Sequence, residues 1–235
     1  MIERLVPAAV RTRVAYGDEL DRVPLLPEEE PAVARAVPKR RAEHAAGRAC
    51  AREALAALGV PAGPIPRDDA DRGAPVWPAG VVGSITHCEG YRAAAVARAA
   101  DVLALGIDAE PHGPLPDGVL DVIHSTPEER AALAELTGKR PEIHWGRVLF
   151  SAKETVYKAW YPYHHRMLGF EEAELLLTEE PLLSGPPQGT FSARLLVPGP
   201  LLAEGVGPDV FTGRWIVHEG IVATVIAITA EPAGS

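Results

Sequence analysis

The chain has 235 residues, of which 47% are apolar and 23% are charged, and its net charge is -9. A chain of this size buries about 70% of its unfolded surface, which excludes the disordered and fibrous classes of protein. The apolar stretch from Gly220 to Ala230 is too short to span a membrane, and the N-terminus lacks the pattern of a secretion signal. Cys50 and Cys88 are the only cysteines, which is typical of a protein in a reducing compartment. We therefore expect a cytoplasmic protein that does not enter a membrane and, because it is acidic, does not bind nucleic acid.

A helix is predicted from Pro38 to Leu58, because this segment is rich in good helix formers and is followed by Gly59 and Pro61. Basic residues crowd this segment of an otherwise acidic chain. Arg40, Arg48 and Arg52 lie along one side of the predicted helix.

Two β-hairpins are predicted, from Val81 to Ala97 and from Phe211 to Thr229, and each turns at a Glu-Gly pair. Each hairpin follows a helix that carries basic residues, the second running from about Ile143 to Trp160. This weak internal repeat predicts an α+β fold of two similar helix-plus-antiparallel-sheet subdomains. We place them at residues 1–105 and 106–235.

Asp108 and Glu110 follow the apolar run that begins at Val102, which is predicted to be a strand. Residues two apart point to the same face of a strand, so the two carboxylates are expected side by side. Oxygen ligands of this kind suit Mg²⁺ or Mn²⁺. The alternative is a strand end that simply enters solvent.

Glu154 interrupts an aromatic stripe on the second basic helix, between Phe150 and Tyr157. Lys158 lies four residues on, in the favourable ion-pair position, and Lys153 precedes Glu154. Two of the four lysines of the chain therefore flank this glutamate, which favours a role facing an anion over a surface ion pair.

Two histidine-containing segments are more typical of structural roles. His87 lies on a predicted strand, with the hydroxyls of Ser84 and Thr86 nearby. Pro162 is expected to end the second helix, which would leave His164 and His165 in an exposed loop without the spacing of a zinc site.

The ordered set of motifs carries a family resemblance. It consists of Gly83-Ser-Ile-Thr-His87, Gly106-Ile-Asp-Ala-Glu110 and Phe150-Ser-Ala-Lys-Glu-Thr-Val-Tyr-Lys-Ala-Trp160. In this order and at these intervals the motifs resemble the Sfp-type 4'-phosphopantetheinyl transferases, in their EntD-like and PptT-like bacterial branch. The resemblance covers residues 30–230 and implies a pseudo-dimeric fold with the active site between two α+β subdomains.

The resemblance also implies a role for each matched residue. Asp108, Glu110 and Glu154 are expected to hold Mg²⁺, or Mn²⁺, on the diphosphate of coenzyme A. Glu154 and Lys158 are expected to be catalytic, with Glu154 as the base that deprotonates the carrier serine. The residues expected to contact coenzyme A are Arg40, Arg48, Arg67, Ser84, Thr86, His87, Lys153 and Lys158. Arg67 replaces a lysine of close relatives.

The activity that follows is transfer of 4'-phosphopantetheine from coenzyme A to a serine of an apo acyl or peptidyl carrier protein. Two alternatives remain open: a Mg²⁺-dependent hydrolase of nucleoside diphosphates, and a non-catalytic module that binds carrier protein or coenzyme A. Residues 111–123 are a candidate docking segment, although a plain linker explains them equally well. The duplicated subdomains predict a monomer.

Overall fold

The computed structural model describes residues 1–230 apart from residues 21, 69, 70, 72, 182 and 183. The described residues form antiparallel sheets flanked by helices. The α-helices are α1 (Pro38–Ala57), α2 (Val119–Ile123), α3 (Pro127–Lys139) and α4 (Trp145–His164). The strands are β1 (Arg11–Tyr16), β2 (Arg67–Asp68), β3 (Ala74–Pro75), β4 (Val81–Cys88), β5 (Tyr91–Arg98), β6 (Val102–Pro111), β7 (Ala173–Glu179), β8 (Gln188–Leu195), β9 (Phe211–His218) and β10 (Ile221–Thr229). Short 3-10 helices cover Ile2–Arg4, Glu30–Val33 and Phe170–Glu172.

Two sheets carry the fold. The first has the strand order β1-β5-β4, and the second has the order β6-β10-β9-β8-β7. Strands β2 and β3 form a separate two-stranded ribbon. All of these pairings are antiparallel, which confirms the predicted α+β class.

The sheets pack face to face, with α1 covering the outer face of the first sheet and α4 covering the outer face of the second. Side chains alternate along each strand, so one set fills the space between the sheets and the other meets a helix. On β5, Ala93 and Ala95 lie in the core between the sheets, whereas Ala94 and Val96 pack with α1. The core beneath α4 contains more buried aromatic residues than the other two cores, among them Trp145, Trp160 and Trp215.

The predicted internal repeat is present in the topology. In each half a strand is followed by a helix and then by a hairpin, and the second strand of the hairpin pairs with the first strand of the half. Thus β1, α1 and β4-β5 correspond to β6, α4 and β9-β10. Since β6 spans residue 105, the turn at residues 99–101 separates the two sheets more cleanly than the predicted division after 105, which stays a prediction.

Both predicted helices and both predicted hairpins are confirmed, with one correction at the end of α4. The helix continues through Pro162 to His164. Pro162 is exposed and lies in the last turn of the helix, so the hydrogen bond that it removes and the crowding that its ring causes affect only this end. The last turn is held by His164, which stacks on Trp160 at 4.2 Å and contacts the Leu201 carbonyl oxygen at 3.1 Å. His164 is therefore helical, not part of a loop.

Candidate active site

Strand β6 and helix α4 approach each other closely at Gly106. A Cβ atom at this position would lie 2.3 Å from the carbonyl oxygen of Thr155 and 2.9 Å from the backbone nitrogen of Ala159. Only glycine fits such an approach. Asp108 lies two residues further along β6, on the face turned toward α4, and this contact therefore carries its side chain to the helix.

The carboxylate of Asp108 is buried and accepts three side-chain hydrogen bonds. Lys158 Nζ donates to Oδ1 at 2.7 Å, and Ser151 Oγ donates to Oδ2 at 2.8 Å. Thr86 Oγ1, from the other sheet, donates to Oδ1 at 3.2 Å. Asp108 is thus fixed from both halves of the chain.

Buried hydroxyls support this arrangement from beneath. Thr224 lies opposite Asp108 in the β10-β6 register and donates its Oγ1 proton to the Ser151 carbonyl oxygen at 3.0 Å. Thr155 Oγ1 lies 2.6 Å from Thr224 Oγ1. These contacts hold α4 against the strand that pairs with β6. The sequence reasoning missed the three residues, although Ser151 and Thr155 flank Glu154 at helical spacing.

Glu110 is bound to a different cation of α4. Its Oε2 accepts a hydrogen bond from Arg147 Nη1 at 3.0 Å. Arg147 also donates to the carbonyl oxygens of Gly113 at 3.4 Å and Pro114 at 2.8 Å. Burial raises the pKa of Glu110, and the negative charge of Asp108 adds to the rise. Arg147, which the sequence reasoning also missed, therefore joins this acid to the segment that follows β6.

Glu154 is half-buried and has no hydrogen-bonding or ionic partner among the residues that the structure describes. It lies one turn from Ser151 and one turn from Lys158, and both of these side chains contact Asp108. Burial raises the pKa of Glu154; the charge of Lys158 opposes the rise and that of Asp108 adds to it. A carboxylate with a raised pKa and free lone pairs can accept a proton or a cation.

A basic face of α1 reaches the same region from the first half of the chain. Arg40 contacts Nε2 of His87 on β4, and Nδ1 of His87 lies 3.8 Å from Glu43. Burial and the charge of Arg40 lower the pKa of His87 to about 4. His87 is therefore neutral at pH 7, and its Nε2 can accept a hydrogen bond from the Arg40 guanidinium. His44, one turn after Arg40, has its pKa lowered to about 4 by burial and by the charges of Arg48 and Arg40.

Arg48 lies deeper in the same face. It is buried and donates from Nε to the Ile65 carbonyl oxygen at 2.7 Å. Burial lowers its pKa to about 10, and the charges of Arg52, Arg40 and Arg67 contribute to the shift. The counter-charge is Glu29, which is fully buried and accepts two hydrogen bonds from Arg52 Nη1 at 2.7 and 2.8 Å. The cluster thus gathers four arginines around two carboxylates, Glu29 and Glu43, which leaves positive charge for an anion.

A cavity of about 400 Å³ opens beside Lys158, between β4 and the C-terminal end of α4. Its walls include Trp77, Ile85, Tyr157 and Tyr161. Trp77 lies flat over Gly83, where a Cβ atom would be 2.6 Å from the ring. The cavity therefore has apolar and aromatic walls, with Lys158 and the Asp71–His165 pair as its charged lining residues.

Comparison with known proteins gives two family matches. Residues 28–97 match the 4'-phosphopantetheinyl transferase N-terminal domain, and residues 104–192 match the 4'-phosphopantetheinyl transferase superfamily. The chain is 56% identical to the 4'-phosphopantetheinyl transferase Svp of Streptomyces mobaraensis over 100% of its own length and 92% of the relative. It is 45% identical to the 4'-phosphopantetheinyl transferase PptT of Mycobacterium tuberculosis over 97% of its length and 98% of the relative. It is also 45% identical to the 4'-phosphopantetheinyl transferase Npt of Nocardia iowensis over 97% and 99% of the two chains.

The chain belongs to the 4'-phosphopantetheinyl transferase superfamily.

In this transferase Ser84 and Thr86, which were predicted to contact coenzyme A, form hydrogen bonds at the seam between the two sheets. Ser84 Oγ accepts the backbone N–H of Ile107 at 3.1 Å, and Thr86 Oγ1 accepts that of Ala109 at 3.0 Å. Both N–H groups belong to the free edge of β6, which the hydroxyls satisfy in place of a neighbouring strand. Ser84 also lines the cavity, whereas the Thr86 hydroxyl is occupied by Ala109 and Asp108.

Lys153 requires a correction. Its side chain is only 1% exposed and points into the core, away from Asp108, with Nζ 3.0 Å from Glu129 Oε1. The ammonium also donates to the carbonyl oxygens of Phe170 at 2.8 Å and Ala173 at 2.9 Å. The expected contact with an anion is therefore wrong for Lys153, because all three ammonium protons are used inside the protein. Helix periodicity places residues 153 and 154 on different faces, and the sequence does not show which face is buried.

The structure brings the remaining predicted residues into one region but does not close the acids into a metal site. Among the described residues, no three His, Cys, Asp or Glu side chains are grouped closely enough to hold a metal ion. Asp108 and Glu110 are instead paired with Lys158 and Arg147. Arg67 lies on β2 and packs its guanidinium over Gly73, within the electrostatic reach of Arg48.

None of the described helices has the length and apolar character needed to cross a membrane.

Proposed function

We propose that this protein transfers the 4'-phosphopantetheine group of coenzyme A to a serine hydroxyl of an apo acyl or peptidyl carrier protein and releases 3',5'-ADP. The observation that carries the proposal is the placement of Glu154. Its half-buried carboxylate, which has no partner among the described residues, lies beside the Asp108–Lys158 pair. The contact between Arg40 of α1 and His87 of β4 lies within the electrostatic reach of Lys158. A candidate base, Glu154, thus lies close to cations that could bind a phosphate group.

The donor set fits a magnesium ion. Asp108, Glu110 and Glu154 offer only carboxylate oxygens, the ligands that Mg²⁺ and Mn²⁺ prefer. Glu154 is free to accept a cation, and Glu110 already has a raised pKa that a bound cation would relieve. A bound Mg²⁺ would neutralise charge on the diphosphate and make 3',5'-ADP a better leaving group.

The basic residues account for the binding of coenzyme A, which carries close to four negative charges. Arg40 is exposed and presents a planar set of donors suited to a phosphate, as does the part of Arg48 that is not bound to Ile65. The ring N–H of neutral His87 can donate a hydrogen bond to a phosphate oxygen, and Lys158 supplies positive charge near Asp108. The aromatic cavity is of a size to receive an uncharged part of the same molecule.

Transfer then requires one proton acceptor and correct alignment. Glu154 takes the proton from the serine Oγ as that oxygen forms a bond to the β-phosphorus and the bond from phosphorus to the oxygen of 3',5'-ADP breaks. The raised pKa of Glu154 makes it a stronger base than an exposed glutamate. Lys158 keeps Asp108 oriented and lies on the same helical turn as the base.

The decisive test is the mass of an apo carrier protein after incubation with the purified protein, coenzyme A and Mg²⁺. We expect the mass of the carrier protein to increase by one phosphopantetheine group. When EDTA is present from the start of the reaction, the mass should not increase. A hydrolase would release 3',5'-ADP without any carrier present. A binding module would hold coenzyme A but leave the mass of the carrier unchanged. Either of these two results would overturn the proposal.

The carrier itself is expected at the segment that Arg147 anchors. Helix α2 exposes Leu120 and Val122, with 68% of Val122 accessible to solvent. Carrier proteins present acidic, helical surfaces, and the net charge of -9 makes an apolar contact more suitable than a general electrostatic attraction. This supports residues 111–123 as the docking segment, and a single chain that contains both subdomains supports a monomer.

A further inference from the structure

A buried ion pair lies next to Glu154, on the face of α4 that turns into the core. Lys153 and Glu129 have side chains that are 1% and 0% exposed, and Lys153 Nζ lies 3.0 Å from Glu129 Oε1. Glu129 Oε1 also accepts the backbone N–H of Ser125 at 2.9 Å, and Oε2 accepts that of Leu175 at 2.7 Å. Burial lowers the pKa of Lys153, and the charge of Glu129 opposes this change.

The pair is a costly way to fill a core. Desolvation of two charges offsets most of their attraction, and well-packed apolar residues often give equal or greater stability. A buried pair of this kind is therefore better explained by the geometry that it imposes than by the stability that it adds.

The geometry imposed by Lys153 concerns the chain that leaves α4. Two of its three protons go to the carbonyl oxygens of Phe170 and Ala173, at 2.8 and 2.9 Å. These carbonyls bracket the 3-10 helix Phe170–Glu172, which connects the end of α4 to β7. The position of this connection is thus fixed by an ammonium group on the helix that carries Glu154.

The same connection forms a wall beside Glu154. Phe170 packs on Phe150, with ring centroids 5.6 Å apart, and Met167 Sδ accepts a hydrogen bond from the Tyr157 hydroxyl at 3.3 Å. Phe150 and Tyr157 lie one turn before and one turn after Glu154 on the helix. A shift of Phe170 or Met167 would therefore change the surface against which a substrate lies at Glu154.

We infer that Lys153 is a positioning residue. With Glu129 as its counter-ion, it holds residues 166–173 in place, and these residues form the wall beside Glu154. This inference rests on the proposed transferase function. Because this wall borders Glu154 through Phe150 and Tyr157, we expect its displacement to act mainly on the KM for coenzyme A. Lys153 itself touches neither the substrate nor Asp108.

Two variants separate positioning from simple stabilisation. Glu129→Gln removes the counter-ion but leaves the Lys153 side chain able to donate to both carbonyls. The double variant Lys153→Met with Glu129→Gln removes both charges, and with them the donor for Phe170 and Ala173. We expect the double variant to fold, to raise the KM for coenzyme A at least tenfold with a smaller change in kcat, and to speed hydrogen exchange of the amides in residues 166–173. We expect Glu129→Gln to lower the melting temperature, because it leaves the buried charge of Lys153 without its counter-ion. Its KM and kcat should stay within about threefold of wild type, because the donor to both carbonyls remains.

The matched control is the exposed pair of Lys139 and Glu135 on α3, whose atoms are 2.5 Å apart. Lys139→Met with Glu135→Gln should change neither the kinetics nor the exchange. A double variant at 153 and 129 with wild-type KM and kcat, whatever its melting temperature, would overturn the inference. If that variant does not fold, Phe170→Ala moves the wall without touching the ion pair, and wild-type kinetics for it would overturn the inference equally.

The outcome for the proposed function is read separately. A wild-type protein that transfers nothing to a carrier contradicts the function, and the exchange rates of residues 166–173 in the variants then still test whether Lys153 fixes the wall.

Discussion

At the scale of single residues, the environment of each acid differs more than the sequence suggests. Asp108 is saturated with donors and Glu110 is held by Arg147, whereas Glu154 faces the site without a partner among the described residues. The three carboxylates are therefore not equivalent. The acid that is unpaired is also the one whose position between Ser151 and Lys158 suits proton transfer.

We expect Glu154→Gln to lower the rate of phosphopantetheine transfer by about 10² to 10⁴, the range for loss of a general base. The fold should survive, because Glu154 is half-buried and its raised pKa shows that ionisation is unfavourable there. Transfer kinetics and a melting curve measured on the same preparation test both parts. Glu128→Gln, at an exposed position on α3, is the control and should behave as wild type. Retained transfer in Glu154→Gln would remove Glu154 from the chemistry.

The two histidines near Arg40 predict how stability varies with pH. His44 and His87 each have a folded-state pKa of about 4, below the ordinary value of 6.5. Between pH 6.5 and about 4 the unfolded chain binds protons at these positions that the folded chain does not. Stability from this source is therefore complete above pH 6.5 and is lost as the pH falls toward 4.

Urea midpoints at pH 7 and pH 5, in buffer free of phosphate and coenzyme A, measure this effect. We expect His87→Gln to reduce the loss of stability between the two pH values. His218→Gln, at the exposed end of the second hairpin, should leave the loss unchanged. A His87→Gln variant with the wild-type pH dependence would contradict a protonation change at His87.

At the scale of secondary structure, the contact between β6 and α4 sets the site. We expect Gly106→Ala to cost about 1 to 3 kcal/mol, as overpacking does in cores, because the added methyl would lie 2.3 Å from the Thr155 carbonyl oxygen. The shift should also separate Asp108 from Lys158 and lower the transfer rate. The matched control, Gly138→Ala, adds the same methyl group on an exposed turn of α3, where nothing lies within 4 Å, and should stabilise the protein by about 0.5 to 1 kcal/mol. Equal melting temperatures for the two variants would contradict the close approach.

The elements that the sequence predicts are those with strong local signals. Helix α1, the body of α4 and both Glu-Gly hairpins follow from composition, periodicity and turn residues, and the structure confirms them. Strands β7 and β8 were missed. Their antiparallel partners are distant in the chain or separated by a long connection, so local pattern is weak there.

Long-range pairing also explains what the sequence could not show of the site. The partner of Glu110 is Arg147, 37 residues away, and the partner of Lys153 is Glu129, 24 residues away. Spacing along one helix predicted that Lys153 and Lys158 flank Glu154, but only the packing of α4 shows that one faces the site and the other faces the core. The sequence thus shows which residues could bind an anion, but it does not show in which direction their side chains point.

At the scale of the whole molecule, the duplicated strand-helix-hairpin unit places the site where the two sheets meet. Ser84 and Thr86 on the first sheet satisfy the free edge of β6 in the second, and the Thr86 hydroxyl also reaches Asp108. Arg40 on α1 contacts His87 on β4, and Lys158 on α4 contacts Asp108 on β6, so each helix reaches this seam through its own sheet. Helix α4 supplies the third acid and also Lys158 and Arg147, the cations that pair with the other two acids.

The central claim is that Asp108, Glu110 and Glu154 act on one divalent ion at this seam. The most direct measurement is an anomalous difference map from crystals of the protein grown with coenzyme A and Mn²⁺. We expect a single peak in contact with the carboxylates of Asp108, Glu110 and Glu154, with Arg147 displaced from Glu110. A peak held by other residues, or one that leaves Glu154 out, would contradict it.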